Sequence, residues 1–392
     1  MSPLSNRTAW PRAPNALSRA IAARRAARAE VLDLTASNPT TAFADLGTDE
    51  AFGRLAAPGV RTYAPEPFGI PSARAAVAGY YADLGVSVDP ERVVLTASTS
   101  EAYGWLFKLL CDPGDRVLVA RPSYPLFDDL ARLEGVRLDP FPLERDARWG
   151  IDVDALVRAI RPETKAIAVV HPNNPTGTYA RPAEVEALRA VARAHGLALL
   201  ADEVFLDYAW EGRGARFGTF ASVDDALTFT LSGLSKVAAA PQVKLGWIVV
   251  GGPAALRDEA LARLELVADC YLSVSASAQH ALPAMLAGRG AAQAVIRARV
   301  ARNLRALDAA LGAESPITRA HADGGWYATL RVPRTRSEEA WVLALLEDDG
   351  VLVQPGWFYD FAEEAWLVLS LLTEEEVFAE GVARLVRRVA AG

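Results

Sequence analysis

The chain has 392 residues, 51 % of them of apolar type, and a formal charge of -7. That length exceeds one ordinary hydrophobic core and predicts two closely packed domains. The acidic balance argues against nucleic acid and anionic membrane as partners, while Cys111 and Cys270 lie too far apart, without metal-spaced neighbours, for a disulfide framework or a zinc site.

The opening stretch carries no apolar signal-peptide core, and no run of about 18 apolar residues occurs anywhere, so secretion and membrane spanning are disfavoured. With the cysteine usage, this predicts a cytoplasmic protein. The segment 16–28, ALSRAIAARRAAR, is rich in arginine and helical in pattern, and reads as a solvated N-terminal helix.

From about residue 93 to 252 short β-rich runs alternate with helical stretches. The runs are VVLTAS (93–98), RVLVARP (116–122), VRLDPFPL (136–143), AIAVVHP (166–172), LALLAD (197–202), LTFTLS (227–232) and LGWIVVG (245–251). Seven such runs predict a mostly parallel seven-stranded sheet flanked by helices, an α/β architecture in which ligands sit beyond the carboxyl ends of the strands. Residues 254–311 read as long helices, and a boundary falls near 285. The remainder supplies the strand-like runs WYATLRVP (326–333) and WLVLSLL (366–372) with helices around 337–348 and 374–390. The expected division is a large domain over 45–285 and a smaller α+β domain built from 1–44 and 286–392.

Three polar residues follow predicted strands at the edge where a ligand belongs. Asn174 lies in HPNNPTG, Asp202 ends LALLAD, and Lys236 closes SGLSK. A lysine just past a buried strand, among small residues, is partly desolvated, which favours the neutral amine that attacks an aldehyde. An aspartate at a neighbouring strand end can keep a pyridine nitrogen protonated, and an asparagine can donate to a phenolate. Each alone has an ordinary reading, since a strand-terminal aspartate is commonly a cap or turn residue.

Taken together, these residues make the chain resemble the fold-type I, pyridoxal-phosphate-dependent aminotransferases of class I/II. The similarity runs from LDLTASNPT (32–40) almost to the C-terminus, and its most specific pieces are NNPTG (173–177), ADEVF (201–205) and SK followed by KLGW (244–247). The resemblance implies pyridoxal 5'-phosphate as cofactor, with Lys236 as Schiff-base lysine and proton shuttle, Asp202 on the pyridine nitrogen and Asn174 on the ring phenolate. It implies Tyr124 stacked on the ring, and Ser98, Thr99, Ser100, Ser235 and Lys244 toward the phosphate. It also implies substrate contacts at Ser37 and Asn38, and Tyr63 reaching the phosphate of a neighbouring subunit, hence a homodimer with shared active sites. The partners expected are a small-molecule amino donor and acceptor.

The chain departs from the pattern it resembles at four places. Phe205 stands where a tyrosine would donate to the phenolate, Lys244 where an arginine would grip the phosphate in two-point fashion, and Gly233 where a small hydroxyl is usual. Val368 stands where the resemblance implies an arginine for the substrate α-carboxylate. Arg331 is the first candidate to replace it, since strand alternation puts it on the face of Tyr327 and Thr329, and Arg121 the second. Either a cation substitutes or the substrate lacks that carboxylate.

His171, His195, His280 and His321 show no ligand spacing, so no metal site is expected. Trp326, Tyr327, Trp357, Phe358 and Tyr359 read either as a substrate mouth or as core aromatics of the smaller domain. Amino transfer is the expected reaction. Elimination at the β carbon, cyclisation or decarboxylation on the same scaffold is the alternative, because all begin with the same lysine chemistry.

Overall fold

A computed structural model describes residues 3–11, 13–144, 148–210 and 216–392. The apolar runs form one sheet whose spatial order is Val93–Thr96, Gly246–Gly251, Thr228–Gly233, Ala198–Asp202, Thr164–Val170, Arg116–Arg121, Arg137–Glu144 and Gly150–Ile151. Neighbours from Thr228–Gly233 to Arg137–Glu144 pair in parallel. Gly246–Gly251 runs antiparallel between Val93–Thr96 and Thr228–Gly233, so those two point the same way as the rest. Val93–Thr96, Gly246–Gly251, Thr228–Gly233 and Ala198–Asp202 are buried throughout, which is why they read as largely apolar runs. An eighth strand, Gly150–Ile151, extends the seven expected; two residues carry no readable period.

Alternation sends successive side chains to opposite faces of this sheet. Val94 joins Trp105, Phe107 and Leu264 in one core, while Val93 and Leu95 join Tyr80, Tyr81, Trp247 and Leu282 in another. Helices therefore cover both faces.

A smaller antiparallel sheet has the order Thr318–Arg319, Tyr327–Arg331, Trp366–Ser370 and Gln354–Pro355. Ala328, Leu330, Leu367 and Leu369 point into that domain's own core with Trp341 and Phe378. The opposite face turns Trp366 and Val368 toward Phe141, Trp149 and Tyr359 of a cluster that includes the large sheet. Leu32–Asp33 pairs in parallel with Val351–Leu352, fastening the N-terminal segment to the C-terminal part.

The helix Ala276–Leu311 serves both cores. Ala281, Leu282 and Met285 pack with the large sheet, and Val300 and Leu307 with the small one. The boundary expected near 285 lies inside it, two residues past Pro283. The N-terminal helix Ala16–Ala26 is capped by Asn15, which accepts from Ser18 N at 2.8 Å, and buries only Ala20. Both cysteines are free thiols. Among the described residues no helix is long and apolar enough to cross a membrane, and no group of three or more metal-ligating side chains occurs.

Candidate active site

The register of the large sheet lines the expected residues along one edge. Thr96 lies opposite Gly246, Gly246 opposite Gly233, Leu231 opposite Asp202, and Asp202 opposite Val170. Just beyond these strand ends stand Ser98, Lys236 and Asn174, with Tyr124 beyond Arg121. Lys244 leads into the antiparallel strand at the same edge. This is the carboxyl edge, where an α/β sheet presents its loops to ligands.

Close backbone approach explains two glycines here. A Cβ on Gly233 would meet Gly246 Cα at 3.0 Å and Leu245 O at 3.1 Å, so the site has no room for the hydroxyl-bearing residue the resemblance implied. A Cβ on Gly246 would meet the carbonyl carbon of Ser98 at 3.1 Å. Ser98 opens the helix Thr99–Leu110, its Oγ accepting from Glu101 N at 3.1 Å, while Glu101 Oε2 accepts from Ala97 N at 2.5 Å. The serine thus caps the helix start, and the helix directs its positive dipole end at the same edge. Thr99, Ser100 and Ser235 are half-buried beside it, whereas Lys244 is exposed with φ +59°.

The loop 173–177 is tied at both ends. Asn173 Nδ2 donates to Pro122 O at 3.1 Å and to Thr176 Oγ1 at 2.9 Å, and Gly177 O accepts from Asp323 N and Gly324 N, each at 2.9 Å. Gly177 sits at φ +70°, with Gly324 O only 2.3 Å from where a Cβ would stand. Asn174 is thereby held in place, buried, with its amide oxygen lacking a partner among the described residues.

Asp202 is buried among protein atoms. Burial pushes its carboxyl up to about 6 despite donation from Val204 N at 3.1 Å and from the Tyr103 hydroxyl at 3.3 Å, together with the Lys236 charge. Lys236 is only partly exposed, in the first turn of the short helix Leu234–Val237. Burial lowers its amine to about 8, against the opposing pull of Asp202. Its Nζ lies 5.0 Å from the Trp326 ring centre and 5.6 Å from that of Phe205, and its carbonyl accepts from the Tyr208 hydroxyl at 2.7 Å. Trp326 packs edge-on against both Tyr208 and Phe205.

Tyr124 is half-buried, edge-on to Phe127, and its phenol is pushed up to about 12 by burial first and then by Asp202 and Tyr327. Tyr327 brings the smaller domain to this edge and shares a hydrogen bond with Ser37. Asn38 is exposed and caps the short helix Pro39–Ala42, accepting from Thr40 N at 3.1 Å and Thr40 Oγ1 at 2.8 Å. Tyr63 is 79 % exposed on the chain's surface.

Arg331 stands opposite Trp366 with its guanidinium 5.9 Å from that ring and 3.7 Å from Glu363. Arg121 pairs with Asp128 at 2.6 Å and Asp360 at 2.7 Å. Val368 is fully buried. Of the five aromatic residues with two readings, Trp326 and Tyr359 are buried and Tyr327 nearly so, whereas Trp357 and Phe358 are about half exposed. His171 is a packing residue: Nδ1 accepts from Ala180 N at 3.1 Å, leaving Nε2–H to donate to Phe217 O at 3.2 Å.

Sequence reasoning gave no role to Tyr103 or Tyr208. Tyr103 carried a faint signal, a phenol on an otherwise apolar helix face one turn past the Ser98 cap. Tyr208 carried none, since its bond is to a main-chain carbonyl.

The residues fit pyridoxal phosphate. A buried carboxylate, a buried asparagine amide, a desolvated amine and a helix start converge where a pyridine nitrogen, phenolate, aldehyde and phosphate would each need them.

Comparison with known proteins gives an independent line. The profile of the family described as aminotransferase class I and II matches residues 29–385. The glutamate-pyruvate aminotransferase AlaA of Haemophilus influenzae is 30% identical over 56% of this chain, a match spanning about half, 54%, of that protein's length. The aspartate/prephenate aminotransferase of Thermus thermophilus is 29% identical over 86% of each chain. The solved structure of an alanine aminotransferase from Pyrococcus furiosus superposes with a TM-score of 0.89, covering 99% of this chain and 100% of that one; at 24% identity this speaks to the fold.

Proposed function

The chain belongs to the class I and II aminotransferase family, whose enzymes depend on pyridoxal phosphate, and from that premise we propose that it moves an amino group between an amino donor and a keto acid or aldehyde by way of Lys236. The observation that carries this reading is the desolvated Lys236 amine facing the buried Asp202 carboxylate at the carboxyl edge of the sheet. When bound, the cofactor supplies an aldehyde for amine capture and a ring that takes up negative charge.

The protein's residues act around it in defined ways. Burial of Lys236 raises the fraction of neutral amine near pH 8, which serves both as nucleophile and as carrier of the proton removed from the donor carbon. Asp202 stays ionised above about pH 6 and would hold a proton on the ring nitrogen of the bound cofactor. Asn174 would donate to the ring oxygen, and the Tyr124 ring would cover one face. The first turn of Thr99–Leu110 would receive the phosphate, with Lys244 contributing charge. Phe205 packs against Trp326 and donates nothing, so Asn174 works without a second phenolate partner.

The active unit is a homodimer in this reading. Its support is Tyr63, exposed on a segment joined to Ser273 through Glu66 N at 2.8 Å, next to the exposed Tyr271 and Leu272. These form an apolar surface that a second copy would cover.

Incubating holoenzyme with candidate amines and measuring pyridoxamine phosphate tests the reaction type. Amino transfer yields it stoichiometrically, whereas an eliminase or decarboxylase releases product with the aldehyde form regenerated.

A further inference from the structure

The groups around Lys236 are aromatic rings, hydroxyls and a single carboxylate. Trp326 and Phe205 flank the amine, and the Tyr124, Tyr327 and Tyr359 hydroxyls gather nearby, Tyr327 sharing a bond with Ser37 and Tyr359 donating to Gln354. Burial comes first in raising all three phenols; Asp202 and Tyr327 add to it at Tyr124, Tyr327 and Tyr124 add to it at Tyr359, and the Ser37 bond opposes it at Tyr327. Lys236 and Lys244, the lysines at this edge, are both engaged by the cofactor in this reading.

The small sheet turns an uncharged face toward the large domain. Tyr327, Thr329, Val368 and Ser370 share one face, with Thr329 opposite Val368 and Tyr327 opposite Ser370. Val368 packs with Trp366 and Tyr359, and nothing charged stands at the centre of that face. Arg331 shares the face but sits at its far end, opposite Trp366 and near Glu363. Arg121 is compensated by two carboxylates and lines an open groove with Asp128, Leu138 and Asp360.

At this edge a carboxylate on the reacting carbon would find cations of this chain that are either engaged by the cofactor or compensated by carboxylates, and burying a charge without a partner is costly. We propose that the amino donor is a primary amine whose reacting carbon bears no free carboxylate, its apolar substituent lying against Trp326, Phe205 and Tyr327. The inference rests on the aminotransferase reading. The acceptor meets the same face and is an aldehyde or a ketone without an adjoining carboxylate. In balance, R–CH2–NH2 and R'–CHO give R–CHO and R'–CH2–NH2. The donor carbon loses two electrons and its nitrogen and gains oxygen from water. The acceptor carbon gains two electrons and that nitrogen, and releases its oxygen as water.

Phenethylamine, phenylalaninamide and phenylalanine share a side chain and differ at the reacting carbon, so they isolate the carboxylate. Single-turnover conversion of holoenzyme from its aldehyde form to its amine form, read by absorbance, is expected to be at least about ten-fold more efficient for the amine and the amide than for phenylalanine. Equal or better use of phenylalanine overturns the proposal. Holoenzyme that responds only to alanine or glutamate also overturns it while leaving amino transfer intact, and holoenzyme that no amine converts overturns both. Folded Val368→Arg is expected to gain about ten-fold toward phenylalanine and nothing toward phenethylamine. An unchanged ratio in that variant overturns the assignment of that face, and if it fails to fold the wild-type comparison still decides.

Discussion

The Tyr103 hydroxyl donates to Asp202 Oδ2 at 3.3 Å while Val204 N donates to Oδ1 at 3.1 Å, so both oxygens of the buried carboxylate are held from the protein side. These bonds favour the ionised form against the burial that pushes the group up to about 6. Tyr103→Phe removes one and moves the carboxyl higher. The acid limb of the kcat–pH profile is expected to shift to higher pH, with kcat near pH 6 falling about ten-fold and KM nearly unchanged. An unmoved limb refutes this role.

Lys236 and Asp202 are coupled in the opposite sense. Asp202 raises the Lys236 value that burial has lowered to about 8. The rate at which apoenzyme takes up pyridoxal phosphate should rise with pH and level off above about 8, following the neutral amine. Asp202→Asn removes the supporting charge and should move that inflection to lower pH. Stopped-flow absorbance across a pH series measures both curves.

Glu203, beside Asp202, is fully buried, and burial raises it to about 8 even though Thr219 and Phe220 N donate to it. Its folded value lies above the ordinary 4.5, so the folded state holds the proton more tightly. The contribution is complete below that ordinary value and fades as pH climbs toward 8. Glu203→Gln escapes the loss. The Tm of the variant minus that of the wild type should increase from about pH 5 to about pH 8, and a constant difference would speak against a buried, late-ionising carboxyl.

Gly177 joins the Asn174 loop to the Gly324 turn through a left-handed backbone with no space for a Cβ. Gly177→Ala should cost about 2 kcal/mol or more in urea unfolding, and weaken cofactor retention as Asn174 shifts. Gly218→Ala, at a glycine with open space around it, is the matched control.

The shared-site reading of Tyr63 predicts complementation. Lys236→Ala mixed with a crippled Tyr63 variant should recover activity, because one hybrid site is then intact. No recovery after demonstrated subunit exchange would count against a site completed by the partner.

The large sheet was legible because its strands are buried on both faces and appear as uninterrupted apolar runs, and Asp202 and Lys236 stood out as polar residues at the ends of two of them. Contacts between distant segments were not legible. The strand Gly150–Ile151 and the pairing of Leu32–Asp33 with Val351–Leu352 are each two residues long, too short to show a period. Strand alternation placed Arg331 on the correct face, yet could not reveal that Glu363 and Trp366 occupy its end of that face. Gly233 looked like a lost hydroxyl until the register set it against Gly246.

The central claim is that Lys236 carries the cofactor. The chain has only four lysines, Lys108, Lys165, Lys236 and Lys244, so borohydride reduction of holoenzyme followed by peptide mapping assigns the attachment without ambiguity. The expected result is one pyridoxyl group per chain on the peptide containing Lys236, absent from Lys236→Ala. A label on Lys108, Lys165 or Lys244, or full labelling that persists in Lys236→Ala, would contradict it.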